Sequence, residues 1–191
     1  MEDAVMDNGN NGSSGSSGGS GGKGSNGNGS SGKGDRGARS FAALDHNETL
    51  DEARLRNIRD ALAEDVGTGD WTARLVPADR RVRAAVKVRE AAVLAGRDWF
   101  EGTMLAVDPA TTVRWRHADG DEMVADSIVC EIDATARSLL TAERPSLNFL
   151  QLLSSTATTT RAHVAAIAGA SPNPRGCAIL DTRKTIPGLR Q

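Results

Sequence analysis

Gly, Ser and Asn dominate residues 1–40, with isolated cations at Lys23, Lys33 and Arg36. A stretch of this kind cannot bury enough apolar surface to offset the entropy lost on ordering it, so a flexible tail is expected. A partner-binding arm is the alternative. With 191 residues and 38% hydrophobic side chains, the chain has material for one domain of ordinary size and not for two full ones.

Several function classes are excluded by what the chain lacks. A formal net charge of −2 argues against a general nucleic-acid binder, and 3% aromatics with no Tyr leaves no stacking platform for bases. Cys130 and Cys177 lie on separate apolar stretches, with neither metal-ligand spacing nor a disulfide pattern, so a reducing compartment is the default. His46, His117 and His163 are scattered and read as surface or packing residues. No apolar run approaches the ~20 residues needed to cross a bilayer. No secretory core segment is present, and Glu2, Asp3 and Asp7 do not suit an acid-poor transit peptide, so a cytoplasmic setting is expected.

Past the tail, the spacing predicts a helix over 47–64, with Leu50, Leu55, Ile58 and Leu62 near one face and Asp51 and Glu52 in its first turn. Gly67-Thr68-Gly69 stops it in a turn. Residues 82–89 alternate as a half-buried strand, with Val82, Ala84, Val86 and Val88 on one face and Arg81, Arg83, Lys87 and Arg89 as solvated charges on the other. A short apolar run over 91–96 ends at Gly96, and 98–107 reads as a helix with Trp99, Met104 and Val107 in the core. Strands over 112–115 and 128–132 are expected, with Asp119-Gly120 as a hairpin signal and Cys130 as a small core residue between Ile128 and Ile132. Residues 135–168 are largely helical through Leu140, Leu147, Leu150, Leu153 and Ala157. Pro145 should break or kink this segment, or open a second helix, and either outcome puts Glu143 and Arg144 at an irregular spot. The run 154–160 is rich in hydroxyls and β-branched residues and needs packing to stay helical. Strands and helices mixed in this way make an α+β sandwich.

The end of the chain carries the chemistry. Cys177-Ala178-Ile179-Leu180 reads as a buried strand, and Pro187-Gly188 forces a turn beyond it. Asp181, Thr182, Arg183, Lys184 and Thr185 therefore fall where a strand gives way to a loop, the edge at which α/β folds bind ligands. From residue 144 onward the cations are Arg144, Arg161, Arg175, Arg183, Lys184 and Arg190, against Asp181 alone. The ligand implied is an anion, since Arg offers a planar fork for carboxylate or phosphate and Lys a compact point charge. A solvated basic turn is the bland alternative.

Residues 181–190, Asp-Thr-Arg-Lys-Thr-Ile-Pro-Gly-Leu-Arg, resemble the DTRKT-x-PGLR signature of the quinolinate phosphoribosyltransferases. Residues 139–154, Leu-Leu-Thr-Ala-Glu-Arg-Pro-Ser-Leu-Asn-Phe-Leu-Gln-Leu-Leu-Ser, are similar to that family's LL-x-AER-x-x-LNFLQ-x-LS segment. Glu64-Asp-Val-Gly-Thr-Gly-Asp-Trp-Thr72 is similar to its EDLG-x-GD-x-T. Three motifs in the family's order are more specific than any one alone. Ser155-Thr156 departs from the family's usual Gly-Ile.

The resemblance covers roughly residues 50–191 and leaves out the tail over 1–40; it implies an N-terminal α/β sandwich domain over 41–170 with a long helical segment, and over 171–191 the first strand of an incomplete α/β barrel. It implies transfer of a phosphoribosyl group from phosphoribosyl pyrophosphate to quinolinate, with loss of carbon dioxide and pyrophosphate, giving nicotinate mononucleotide. Arg144 and Arg183 would grip substrate carboxylates, and Arg144 would reach into a neighbouring subunit's site in a homodimer or higher oligomer. Lys184 would be catalytic, meeting the phosphoribosyl donor or the reacting carboxylate, and Thr182 would add a hydroxyl or backbone contact. Mg2+ would travel on the donor's phosphates, with its protein ligands outside this chain. The 64–72 segment would shape the domain and carry no chemistry. A barrel of this kind takes about 250 residues, and the family's later His-Arg pair, second Lys and acidic residues have no counterpart here, so a fragment inactive by itself is expected. A related barrel protein of molybdenum metabolism and a non-catalytic protomer that associates with a full-length subunit are the competing readings.

Overall fold

The computed structural model describes residues 48–180 and Thr182. The order is α1 (Leu50–Val66), a 3-10 turn (Ala73–Leu75), β1 (Arg81–Lys87), β2 (Ala92–Val93), α2 (Arg97–Val107), β3 (Thr112–Trp115), β4 (Glu122–Met123), β5 (Ile128–Thr135) and α3 (Ala136–Ile167). The class is α+β, as the mixed pattern implied.

Helix α1 begins in a reciprocal cap: the Glu52 amide donates to the Thr49 hydroxyl at 3.3 Å, and the Thr49 amide donates to the Glu52 carboxylate at 2.8 Å. It buries Ala53 and Ile58 but leaves Leu50 and Leu55 exposed, so the apolar stripe is narrower than the spacing suggested. Packing reaches only the turns that face α2 and α3.

Strand β5 is central, antiparallel to β1 on one side and to β3 on the other. The basic row of β1 is largely matched by acids. Arg83 lies directly opposite Asp133, which also pairs with Arg81, while Lys87 meets Asp126 at 3.2 Å. These are exposed cross-strand pairs, worth little to stability, and not an anion site. On the covered side Val129, Cys130, Ile132 and Ala134 are buried; Ile128 is exposed. Burial pushes the Cys130 thiol up to about 12, so it packs as a small apolar group and not as a nucleophile.

Asp119-Gly120 does not close a hairpin. Strand β4 pairs with β2, β3 pairs with β5, and the Asp119 carboxylate accepts from the Gly96 and Arg97 amides at the start of α2. A carboxylate there satisfies amides with no partner in the helix and suits its dipole. In α2 the buried side chains are Phe100, Thr103 and Met104, while Trp99 and Val107 are half-buried. Phe100 meets the Trp115 ring edge-on at 5.4 Å and so ties α2 to β3.

Pro145 neither breaks α3 nor starts a new helix: the helix runs unbroken for 32 residues with Pro145 buried inside it. The loss of one backbone bond is outweighed because α3 packs on every layer, touching α1, α2, β2, β5 and the 3-10 turn. The hydroxyl run does more than fill space. Ser154 Oγ accepts from the Ala95 amide and donates to the Ala95 carbonyl, both at 3.1 Å, and Thr158 Oγ1 accepts from the Val93 amide at 2.9 Å.

The apolar run 177–180 is not a strand here. It is irregular and exposed, with Leu180 at 83%, because no described strand lies beside it to complete a ladder.

Candidate functional site

Cations that are already matched can be set aside first. An open groove between α1 and α2 is lined by Leu55, Ile58, Leu62 and Leu105, with Arg54 and Arg59 at its rim. Arg54 pairs with Asp51 and Asp98, and Arg59 pairs with Asp60, so no unmatched charge there calls for an anion. Arg161, late in α3, pairs with Glu122 at 2.6 Å.

Arg144 differs. It stands on α3 with its side chain 69% exposed, and its Nε lies 3.5 Å from Asp65 Oδ2, a carboxylate only 28% exposed. Among the described residues Asp65 is its one ion-pair partner. Asp65 is in the last turn of α1, which closes at Gly67 with a positive φ of 52. The chain then turns through Gly69 to Asp70.

Asp70 fastens the turn to α3. Its Oδ1 accepts from the Ala73 amide and its Oδ2 from the Thr141 hydroxyl, both at 2.9 Å. The Ala73 amide and then the Thr141 hydroxyl hold the Asp70 carboxyl below the usual range, and the charge of Arg144 adds to the effect. Thr141 and Arg144 are three residues apart and so neighbours on one helix face. Nearby, Arg137 donates to the Val76 carbonyl at 2.7 Å.

Two of the three motifs therefore meet in space. Residues 64–72 form the platform on which Arg144 rests. Nothing in the sequence spacing shows that Asp65, Asp70 and Thr141 converge; the only hint is that two acids flank a glycine turn.

Of the other expected site residues, Thr182 is exposed in irregular chain. Arg183 and Lys184 lie outside the described residues. No group of three or more His, Cys, Asp or Glu that could hold a metal occurs among the described residues. Within them, too, no helix is long and apolar enough to cross a membrane.

Comparison with known proteins gives a consistent answer. Residues 70–154 match the N-terminal domain of quinolinate phosphoribosyl transferase. A protein of Synechocystis sp. named probable nicotinate-nucleotide pyrophosphorylase (carboxylating) is 36% identical over 129 residues, 68% of this chain and 42% of its own. The chloroplastic nicotinate-nucleotide pyrophosphorylase (carboxylating) of Arabidopsis thaliana is 38% identical over 135 residues, 70% of this chain and 37% of its own. The structure of the nicotinate-nucleotide pyrophosphorylase from Francisella tularensis superposes with a TM-score of 0.67 at 37% identity, covering 75% of this chain and 50% of that one. NadC from Streptococcus pyogenes gives 0.67 at 33% identity with the same coverage. The chain spans about two fifths of the length of these curated relatives, 42% and 37%. Over residues 70–154, which include Arg144, the chain carries the N-terminal domain of the quinolinate phosphoribosyl transferase family.

Proposed function

We propose that this chain contributes the N-terminal domain and the first substrate-binding loop of a quinolinate phosphoribosyltransferase acting in NAD biosynthesis. The reading is carried by Arg144: a cation of the family's helical segment, exposed and steadied by an acid of the family's first motif. Quinolinate is a dicarboxylate and the phosphoribosyl donor carries a phosphate and a pyrophosphate, so a site for both must gather several cations. Arg144 and Arg183 bind the carboxylates, Thr182 adds a polar contact, and Lys184 meets the donor at the reacting end. Mg2+ enters on the donor's phosphates. The domain boundaries at residues 40 and 170 belong to this reading, as does a reducing, cytoplasmic setting, in keeping with the unpaired thiols of Cys130 and Cys177.

The site is shared between subunits of a homodimer or higher oligomer, Arg144 of one chain serving a loop of the other. The test is calorimetry on the full protein that carries this chain. Arg183→Ala weakens quinolinate binding by at least about 1.4 kcal/mol, a factor of ten; an unchanged dissociation constant removes Arg183 from the site. Mixing Arg144→Ala with Arg183→Ala protein restores turnover that neither has alone; no recovery after subunit exchange removes the sharing.

A further inference from the structure

We propose that Asp65 is a positioning residue for Arg144, presetting the guanidinium for a substrate carboxylate; this rests on the function proposed above. The acid is the sheltered member of the pair and the base the outlying one, 28% against 69% exposed. Exposed pairs of this kind add little to stability, so what the contact changes is where the arginine points. An arginine has a donor edge at Nε and another at its two terminal nitrogens. Asp65 engages Nε, and the terminal edge is left to receive a carboxylate in the fork geometry.

The anchor is itself held. The backbone after Asp65 is fixed by the Gly67 amide donating to the Ala63 carbonyl at 3.2 Å and the Gly69 amide donating to the Val66 carbonyl at 2.9 Å. One helical turn before Arg144, Asp70 clamps Thr141 to the same platform. An arginine tethered at both its base and its Nε loses fewer rotamers when a ligand arrives than one swinging in solvent. An acid beside an anion site also repels the anion. The proposal is that orientation outweighs this repulsion, which makes the sign of the effect diagnostic.

The experiment is steady-state kinetics on the full protein that carries this chain, with quinolinate and phosphoribosyl pyrophosphate varied separately. Asp65→Ala raises KM for quinolinate at least about fivefold, with kcat and the donor's KM within about twofold of wild type, the pattern of lost uniform binding. Asp65→Asn, which keeps the side chain's size and removes its charge, raises the quinolinate KM in the same direction, because the 3.5 Å contact is an ion pair. In an Arg144→Ala background, Asp65→Ala adds nothing further. Asp65→Ser takes the place of Asp65→Ala if circular dichroism shows the latter unfolded.

An unchanged or lowered KM in Asp65→Ala, or a further rise in the Arg144→Ala background, overturns the proposal. A tightened KM in Asp65→Asn also overturns it and makes Asp65 a repelling competitor. The Arg144→Ala arm separates the two levels. If it leaves the quinolinate KM untouched, the functional reading of Arg144 fails; if it raises KM while Asp65→Ala does not, only the positioning role fails.

Discussion

Ser154 and Thr158 sit one turn apart on α3 and through their hydroxyls hold β2 at Val93 and the chain just beyond it at Ala95. Ser154→Ala leaves the Ala95 amide and carbonyl without partners in a half-buried place, and urea denaturation should show a loss of about 1–3 kcal/mol. Thr158→Val, nearly the same shape, should cost a similar amount through the Val93 amide. Asp108 makes a comparable link at the other end of the helix. The Ala110 amide, and then the Ser138 hydroxyl, hold its carboxyl below its ordinary value of 3.8. The unfolded chain therefore takes up this proton first as pH falls. Asp108's contribution to stability is whole above the ordinary value and is lost as pH drops through the lowered one. Asp108→Asn should flatten the acid limb of stability against pH in that window, as read from denaturation midpoints. That hydroxyls fill 154–160 was plain from the sequence, and so was their need for packing. Their partners were not, because a side chain 59 or 65 residues from its amide leaves no local pattern.

At the scale of elements, the joint between β2 and α2 is a tight point. Gly96 has φ 100, and a Cβ there would lie 2.7 Å from one methyl of Leu153 and 3.2 Å from its Cβ. Gly96→Ala combines a left-handed backbone with overpacking and should cost about 2–4 kcal/mol, with a matching fall in denaturation midpoint. Strands β1 and β5 were legible because alternation has a physical cause, one face covered and one wet. The helix through Pro145 was not legible. Proline's local penalty is written in the residue, but the packing of α3 on five other elements is not. The run 177–180 errs in the opposite direction. Its composition suits a strand, but a strand is a relation between two segments, and the second is missing among the described residues. The platform under Arg144 was half legible: the motifs named the residues, and only the fold put Asp65 beside Arg144 and Asp70 beside Thr141.

For the whole molecule, the exposed apolar side chains carry a prediction. Leu75 is 85% exposed, Leu55 64% and Leu152 59%, on three different elements. Large apolar groups left in water favour association. Sedimentation of the 191-residue chain should give a concentration-dependent mass above 20.0 kDa, and Leu152→Asp should shift it toward the monomer. The length of α3 has a consequence of its own. At a helical rise of about 1.5 Å per residue, the rod carries the chain roughly 35 Å from Arg144 to Ile167. Stretched out, the segment 168–182 reaches roughly 50 Å. The rod thus acts as a ruler. Arg144 and Thr182 can touch one small molecule only if the outgoing chain retraces most of that distance, or if another copy's tip is brought to the first one's waist.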